Sequence, residues 1–156
     1  METYGIRRRD AGLPGAEAAG VLPAAIEMMD ALAIEAAEAA VHCNYPDGAG
    51  AVLVIELDGA SAEVEHEYAL VERFCQENGS FELRLATDPA ERALIWKGRK
   101  SAFAAVGRIS PDYIVQDGVI PRTALPGVLR AIAELSESSG VRVANVFHAG
   151  DGNLHP

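Results

Sequence analysis

The stretch AVLVIEL, residues 51–57, decides the fold because it is almost wholly apolar and rich in β-branched residues. Such a run is typical of a central strand that is buried on both faces of a sheet. Asp58-Gly59 then turns the chain into a predicted helix, 62–78, with Ser61 as its N-cap and Asn78-Gly79 at its end. We therefore expect a sheet on which helices pack.

The segments on either side continue this alternation of strands and helices. Strands are predicted at 24–30, 81–87, 112–120 and 141–147, and helices at 31–43, 89–106 and 123–140. Because some joins are very short, the order predicts an α+β fold, a ferredoxin-like sandwich with a mostly antiparallel sheet and helices on one face. A doubly wound parallel sheet is the alternative, but no glycine-rich phosphate loop follows a strand.

Length and composition indicate one ordinary globular domain. The chain has 156 residues, and its 23 acidic and 13 basic residues give a net charge of −10. This charge repels a phosphate backbone and argues against a nucleic-acid partner. No apolar run approaches the roughly 20 residues of a membrane helix, and residues 1–17 resemble an irregular leader rather than an export signal. We expect a cytoplasmic protein in which Cys43 and Cys75 are reduced, packed thiols.

The segment HAGDGNLH, residues 148–155, combines two histidines with a glycine-rich turn. If the chain reverses here, His148 and His155 lie close together, and two imidazoles so placed bind Zn²⁺ or a similar ion. Asp151 is a candidate to orient one imidazole or to bond its own turn. The alternative is a polar turn with two surface histidines. His42 and His66 lie on separate helices and are expected at the surface.

Two further segments carry candidate binding residues. In WKGRKSAF, residues 96–103, Lys97, Arg99 and Lys100 form a cationic cluster, and a guanidinium such as Arg99 suits an organic acid because it grips a carboxylate with two hydrogen bonds. The alternative is a solvated face. In PDYIVQDGVIPR, residues 111–122, Asp117 and Arg122 are candidates to face a ligand from a β-bulge, or else to serve the turn and the helix cap.

Taken together, the segment ERALIWKGRKSAFAAVGRISPDYIVQDGVIPR and the terminal VANVFHAGDGNLHP resemble the C-terminal domain of FAD-linked oxidases. The resemblance is to the family of the glycolate oxidase D-subunit and the D-lactate dehydrogenases, and it covers residues 18–156. It implies a cap, or substrate, domain that presents a small 2-hydroxy acid for hydride transfer to FAD, which is held on a domain absent from this chain. The partners that the resemblance implies are the flavin domain, the other oxidase subunits and the 2-hydroxy-acid substrate.

The resemblance also implies roles for particular residues. His148 and His155 match positions that hold a divalent metal (Zn, Mn or Fe), and Arg99 matches a substrate-carboxylate contact. Phe103 stands where a hydroxyl residue is expected, which favours a monoacid over a diacid. No catalytic residue is assigned.

The ends depart from the family pattern, so we expect a fragment truncated at both ends and inactive alone, with membrane association only through partner subunits. The alternative is a stand-alone α+β binding or assembly module, dimeric through an exposed sheet edge. A metal-assisted hydrolase is disfavoured, because no nucleophile motif accompanies the histidines.

Overall fold

The computed structural model of the chain describes residues 2–4 and 20–156. The strands are β1 (Glu2–Tyr4), β2 (Ala25–Asp30), β3 (Ala51–Leu57), β4 (Gly118–Val119), β5 (Val146–His148) and β6 (Asn153–His155). The helices are α1 (Ala31–Val41), α2 (Ser61–Glu77), α3 (Pro89–Val106) and α4 (Leu125–Ser139), with a 3₁₀ turn at Arg122–Ala124 before α4. No helix in these ranges is long and apolar enough to cross a membrane.

The six strands form one sheet in the order β1-β3-β2-β5-β6-β4. Every pairing between them is antiparallel, which excludes the doubly wound parallel alternative for the described residues. The longest ladder joins β2 to β3, from Ala25 opposite Glu56 to Asp30 opposite Ala51. The predicted α+β fold with an antiparallel sheet is therefore confirmed.

Both faces of the sheet are buried, and the helices are divided between them. On β3, Leu53 and Ile55 belong to one apolar core, whereas Val52 and Val54 belong to a second core on the opposite face. The first core receives residues from α2 and α4, and the second receives residues from α1 and α3. The structure differs here from the prediction of helices on one face. The physical reason is that AVLVIEL has apolar side chains on both sides of its pleat, and both sides need cover.

The predicted helices form close to their predicted bounds, with one change at a cap. Asp30 and Asp88 cap α1 and α3 through their side chains, and Gly140 ends α4 in the left-handed conformation. The N-cap of α2 is Ala60, which has no side-chain hydrogen bond, and Ser61 is the first helical residue. The predicted Ser61 cap is therefore wrong by one position.

The predicted strands outside the centre of the sheet are shorter or do not form. Residues 81–87 form no strand, 112–120 contributes only Gly118–Val119, and 141–147 contributes only the last two residues of its range to β5. A strand exists through its hydrogen-bonded neighbour, and these segments lack one over most of their length. Residues 81–87 are held by side chains instead, with Leu83 and Leu85 against the first core and Arg84 bonded to the carbonyl oxygen of Asn44.

The segment predicted as an irregular leader, residues 1–17, is described only in part. Glu2–Tyr4 form β1, which pairs with β3, whereas residues 5–17 lie outside the described residues. The predicted domain boundary at residue 18 stays a prediction. Both cysteines are buried free thiols, as predicted, and burial raises the pKa of each to about 12. Thiols so protected are not nucleophiles at neutral pH.

Candidate functional site

The two histidines of the terminal motif lie on one β-hairpin. His148 on β5 pairs with Asn153, and His155 on β6 pairs with Val146, so the two histidines are diagonal neighbours on the same face. Their ring centroids are 5.4 Å apart and the ring planes stand at 87°. The expectation that the reversal brings the two imidazoles close together is therefore confirmed.

The turn of this hairpin is fixed by its backbone. The backbone N–H of Gly150 donates to the carbonyl oxygen of Ile26 at 3.0 Å, and the backbone N–H of Asp151 donates to the carbonyl oxygen of His148 at 3.1 Å. Gly152 has a φ of +71°, and a Cβ there would collide with the carbonyl oxygen of Ile120. Because only glycine combines this φ with this close approach, the residue type at 152 sets the path between the two histidines.

Glu27 on β2 joins His148 to Arg99. It lies directly opposite His148 in the β2–β5 ladder, and its Oε1 is 2.9 Å from Nδ1 of that ring. Its Oε2 accepts hydrogen bonds from Arg99 Nε at 3.1 Å and Nη2 at 2.7 Å. Glu27 and Arg99 are only 8% and 5% exposed. A buried carboxylate needs such partners to offset its desolvation, and here a guanidinium and an imidazole supply them.

The second histidine is held by packing as well as by charge. His155 Nδ1 is 3.6 Å from the Asp117 carboxylate, and the Phe103 ring meets the imidazole edge-on at 5.5 Å. Arg99 in turn lies 6.0 Å from the centroid of Phe103, one helical turn away on α3. Arg99, Glu27, His148, His155 and Phe103 thus form a closed ring of contacts, which we call the imidazole cluster.

In the imidazole cluster, both rings direct Nδ1 toward a carboxylate. Neither Nε2 makes a hydrogen bond with the described residues. An imidazole whose Nδ1–H is held by a carboxylate offers an unprotonated Nε2, which is the form that binds metals or accepts protons. Among the described residues there is no group of three or more His, Cys, Asp or Glu that could hold a metal. Only the His148 contact is a hydrogen bond, because the 3.6 Å between His155 Nδ1 and Asp117 is too long for one. The cluster offers at most two nitrogen donors, one fewer than a typical mononuclear site.

Two clefts border the cluster. The smaller, about 260 Å³, is lined by Glu27, His148, Arg122 and Asp151 among others. The larger, about 860 Å³, has His155 and Phe103 in its wall. Pockets of this scale accommodate small organic molecules, so each histidine is reachable from a space that a small acid can occupy.

The other residues singled out from the sequence are not all at the site. Lys97 and Lys100 are exposed, so the cationic cluster on α3 divides into two surface lysines and the buried Arg99. Asp117 lies beside His155. The predicted β-bulge is not observed, because the strand that follows Asp117 is only two residues long, Gly118–Val119. Arg122 donates to the carbonyl oxygen of Gly150 and so braces the turn. His42 and His66 are exposed, as expected.

Sequence reasoning missed Glu27 and considered Asp151 as the candidate carboxylate, either to orient an imidazole or to bond its own turn. Asp151 is exposed, whereas Glu27 is the carboxylate in contact with the His148 ring. The available signal was a single charged residue inside the apolar run AAIEMM, because a carboxylate in a buried strand requires a partner. The partner itself lies 121 residues away, which no local pattern reveals.

A flavin pyrophosphate does not fit the helix N-termini that normally receive one. The side chains of Asp30 and Asp88 occupy the first N–H groups of α1 and α3, and Glu63 lies in the first turn of α2. The two aspartates use donors of α1 and α3, and all three carboxylates repel a second anion. Within the described residues, these three helices are therefore not flavin-phosphate sites.

The described residues form an α+β domain in which one hairpin presents two imidazoles beside a buried Arg–Glu pair. The chain belongs to the family of FAD linked oxidases, C-terminal domain, whose model matches residues 13–156.

Its curated relatives are consistent with this. The chain is 55% identical to glycolate oxidase subunit GlcD of Escherichia coli over 137 residues, 88% of the chain and 28% of the relative. Identity to glycolate oxidase subunit GlcD of Bacillus subtilis is 31% over 139 residues, 89% of the chain and 30% of the relative. A probable mitochondrial D-lactate dehydrogenase of Danio rerio is 27% identical over 88% of the chain and 28% of its own length. The chain thus spans less than a third of these relatives.

Proposed function

We propose that the chain is the substrate-side part of an FAD-dependent 2-hydroxy-acid dehydrogenase that oxidises glycolate or D-lactate. The observation that carries the proposal is the imidazole cluster, because two imidazoles whose Nε2 atoms bond none of the described residues meet in a domain of the FAD-linked oxidase family. The names of the relatives support glycolate and D-lactate as the substrate class. Alone, the domain is expected to hold no flavin and to be inactive.

His148 and His155 are the proposed metal ligands, for Zn, Mn or Fe. The 5.4 Å centroid distance and the carboxylates at both Nδ1 atoms support this role. A bound divalent cation would supply Lewis-acid polarisation of an organic acid. Because only two protein donors are found among the described residues, binding by the chain alone should be weak.

Arg99 stays the predicted contact for the substrate carboxylate, but fewer of its nitrogen atoms are available for that contact. Its Nε and Nη2 are engaged by Glu27 and by the carbonyl oxygen of Phe147, whereas Nη1 makes no hydrogen bond with the described residues. Only Nη1 is therefore available for a ligand. Phe103 packs against both Arg99 and His155 and leaves an apolar wall, which suits a small monoacid.

The FAD, in this proposal, is bound outside the described residues, on a flavin domain of the intact enzyme, with the other oxidase subunits as partners. The name of the E. coli relative, a subunit, supports such an assembly. A cytoplasmic location, with membrane association only through partner subunits, is part of the same proposal.

The test is a chimera in which this chain replaces the matching segment of E. coli GlcD, with its flavin content and its rate of glycolate oxidation measured. The chimera should oxidise glycolate, and His148→Ala and His155→Ala should each lower the rate at least about 100-fold while bound flavin is retained. His66→Ala, an exposed histidine far from the cluster in sequence, is the control. Full turnover by either cluster variant contradicts the proposal, and so does an isolated chain that purifies with flavin and oxidises glycolate.

The second candidate is a binding or assembly module that pairs through a sheet edge. The backbone of residues 113–115 makes no backbone hydrogen bond with the described chain, and Ile114 and Val141, near the larger cleft, are 80% and 62% exposed. Backbone without a hydrogen-bonded partner close to the edge strand β4 invites another strand, which supports a homodimer. Light scattering tests it: mass should rise toward that of a dimer with concentration, and a strict monomer at high concentration contradicts it.

A further inference from the structure

The described structure assigns to Glu27 a function that no sequence motif indicated: we propose that it is a positioning residue, held by Arg99, that fixes the tautomer and orientation of the His148 ring. This inference rests on the proposed function, because the ring it positions is a proposed ligand. It concerns a residue of β2, far from both motifs in sequence.

The contact between Glu27 and His148 determines which ring nitrogen carries a proton. Glu27 Oε1 lies 2.9 Å from His148 Nδ1, and an ionised carboxylate only accepts hydrogen bonds. Nδ1 must therefore carry a proton, and in the neutral ring this leaves Nε2 as the unprotonated nitrogen. Because the ring of His148 is 43% exposed and has room to rotate, this contact decides which nitrogen faces the ligand space.

Arg99 supplies the second step by fixing the carboxylate itself. Its Nε and Nη2 both donate to Oε2, which leaves Oε1 for the imidazole and prevents the carboxylate from rotating. The third contact of Arg99, from Nη2 to the carbonyl oxygen of Phe147, links the guanidinium to the residue before His148. The pair is buried between α3 and the sheet, so its position is set by the fold rather than by the ligand.

Asp151 provides the comparison that distinguishes a specific contact from a general electrostatic effect. Asp151 also borders the smaller cleft and lies three residues from His148, but its side chain is exposed and is not in contact with the ring. If negative charge near the hairpin were sufficient, the two carboxylates would be equivalent. The inference predicts that they are not.

The test reads the tautomer of His148 by ¹⁵N NMR of the chain at about pH 8.5, above the ordinary pKa of imidazole. In the unsubstituted chain, Nδ1 should be protonated and Nε2 unprotonated. In Glu27→Gln the side chain has one acceptor oxygen for two donors. Arg99 should take that oxygen, and the amide nitrogen should then face the ring and invert the tautomer. Asp151→Asn should leave the tautomer unchanged.

A second measurement is calorimetry with Zn²⁺ alone. Glu27→Gln should weaken Zn²⁺ binding about 10- to 100-fold, with Asp151→Asn near the unsubstituted value. An unsubstituted chain with the proton on Nε2 overturns the inference without any variant, and an unchanged tautomer in Glu27→Gln also overturns it. Because the tautomer is read without metal, a chain with the predicted tautomers that binds no Zn²⁺ supports this inference and contradicts the metal proposal.

Discussion

At the scale of single residues, Asp30 ties together three parts of the fold. Its side chain accepts from the Ala33 N–H at 3.0 Å, which caps α1, and from the backbone N–H and Nδ2 of Asn145 at 2.8 and 2.7 Å. The last two bonds hold the segment that leads into β5 against the end of β2. The position of His148, three residues further on, thus depends on this aspartate.

Replacing Asp30 with alanine should lower the free energy of unfolding by about 2–3 kcal/mol. The change removes a helix cap and leaves the buried Asn145 without its acceptor. Denaturant unfolding measures the loss, with Asp47→Ala, an exposed turn residue, as the control. Equal stability of the two variants would contradict the role given to Asp30.

The effect of this substitution should also depend on pH. Burial raises the pKa of Asp30 above its ordinary value, against the opposing effect of its hydrogen bonds. The Asp30 carboxyl therefore binds its proton more tightly in the folded state than in the unfolded state. The stability that this difference adds is fully present below the unfolded-state pKa of Asp30, about 3.9, and is lost as the pH rises through its folded-state pKa. The free energy of unfolding of the unsubstituted chain should exceed that of Asp30→Ala by more near pH 4 than at pH 7.

The sequence predicted the histidines of the site but not the carboxylate between them and Arg99. His148 and His155 are close in the chain and flank turn residues, so their meeting follows from local structure. Glu27 meets His148 only because β2 and β5 pair in one register, and a shift of one residue would move it to the other face. Sequence patterns specify neither the partner strand nor the register.

At the scale of elements, α3 approaches the end of α1 closely at Gly98. A Cβ at this position would lie 2.6 Å from the Tyr45 hydroxyl oxygen and closer still to the Cys43 sulfur. Tyr45 is itself fixed by donating to the carbonyl oxygen of Ile95 at 2.6 Å. Gly98 therefore allows the approach that places its neighbour Arg99 against Glu27.

Gly98→Ala should destabilise the protein by about 1–3 kcal/mol, although alanine is normally the better helix former. Gly127→Ala on α4 is the matched control, because a Cβ there meets no atom within 4 Å, and it should be neutral or stabilising by up to about 1 kcal/mol. Thermal unfolding of both variants measures the difference. If Gly98→Ala were as stable as Gly127→Ala, the close approach would not constrain the fold.

Helices were predictable in this chain and outer strands were not, for a physical reason. Helical hydrogen bonds lie within one segment, so the caps at Asp30 and Asp88 and the end at Gly140 are visible in the sequence. Residues 81–87 alternate as a strand should, but no neighbouring strand pairs with them. Alternation does not show that the backbone finds a partner.

At the scale of the whole molecule, one sheet separates two apolar cores, and the imidazole cluster lies on the α1–α3 face. The net charge of −10 says little about this site, because acidic and basic groups meet there: two imidazoles and a guanidinium lie beside the carboxylates of Glu27 and Asp117. The fold brings β2, α3 and the β5–β6 hairpin into contact at this cluster. The central claim is that His148 and His155 act on the same ligand.

The most direct test of this claim is a Zn²⁺ titration of the chain followed by ¹⁵N NMR of all four histidine rings. We expect one equivalent of Zn²⁺ to shift the Nε2 signals of His148 and His155 together, while those of the exposed His42 and His66 are unaffected. A shift of only one of the two cluster rings, or an equal response from all four histidines, would contradict it.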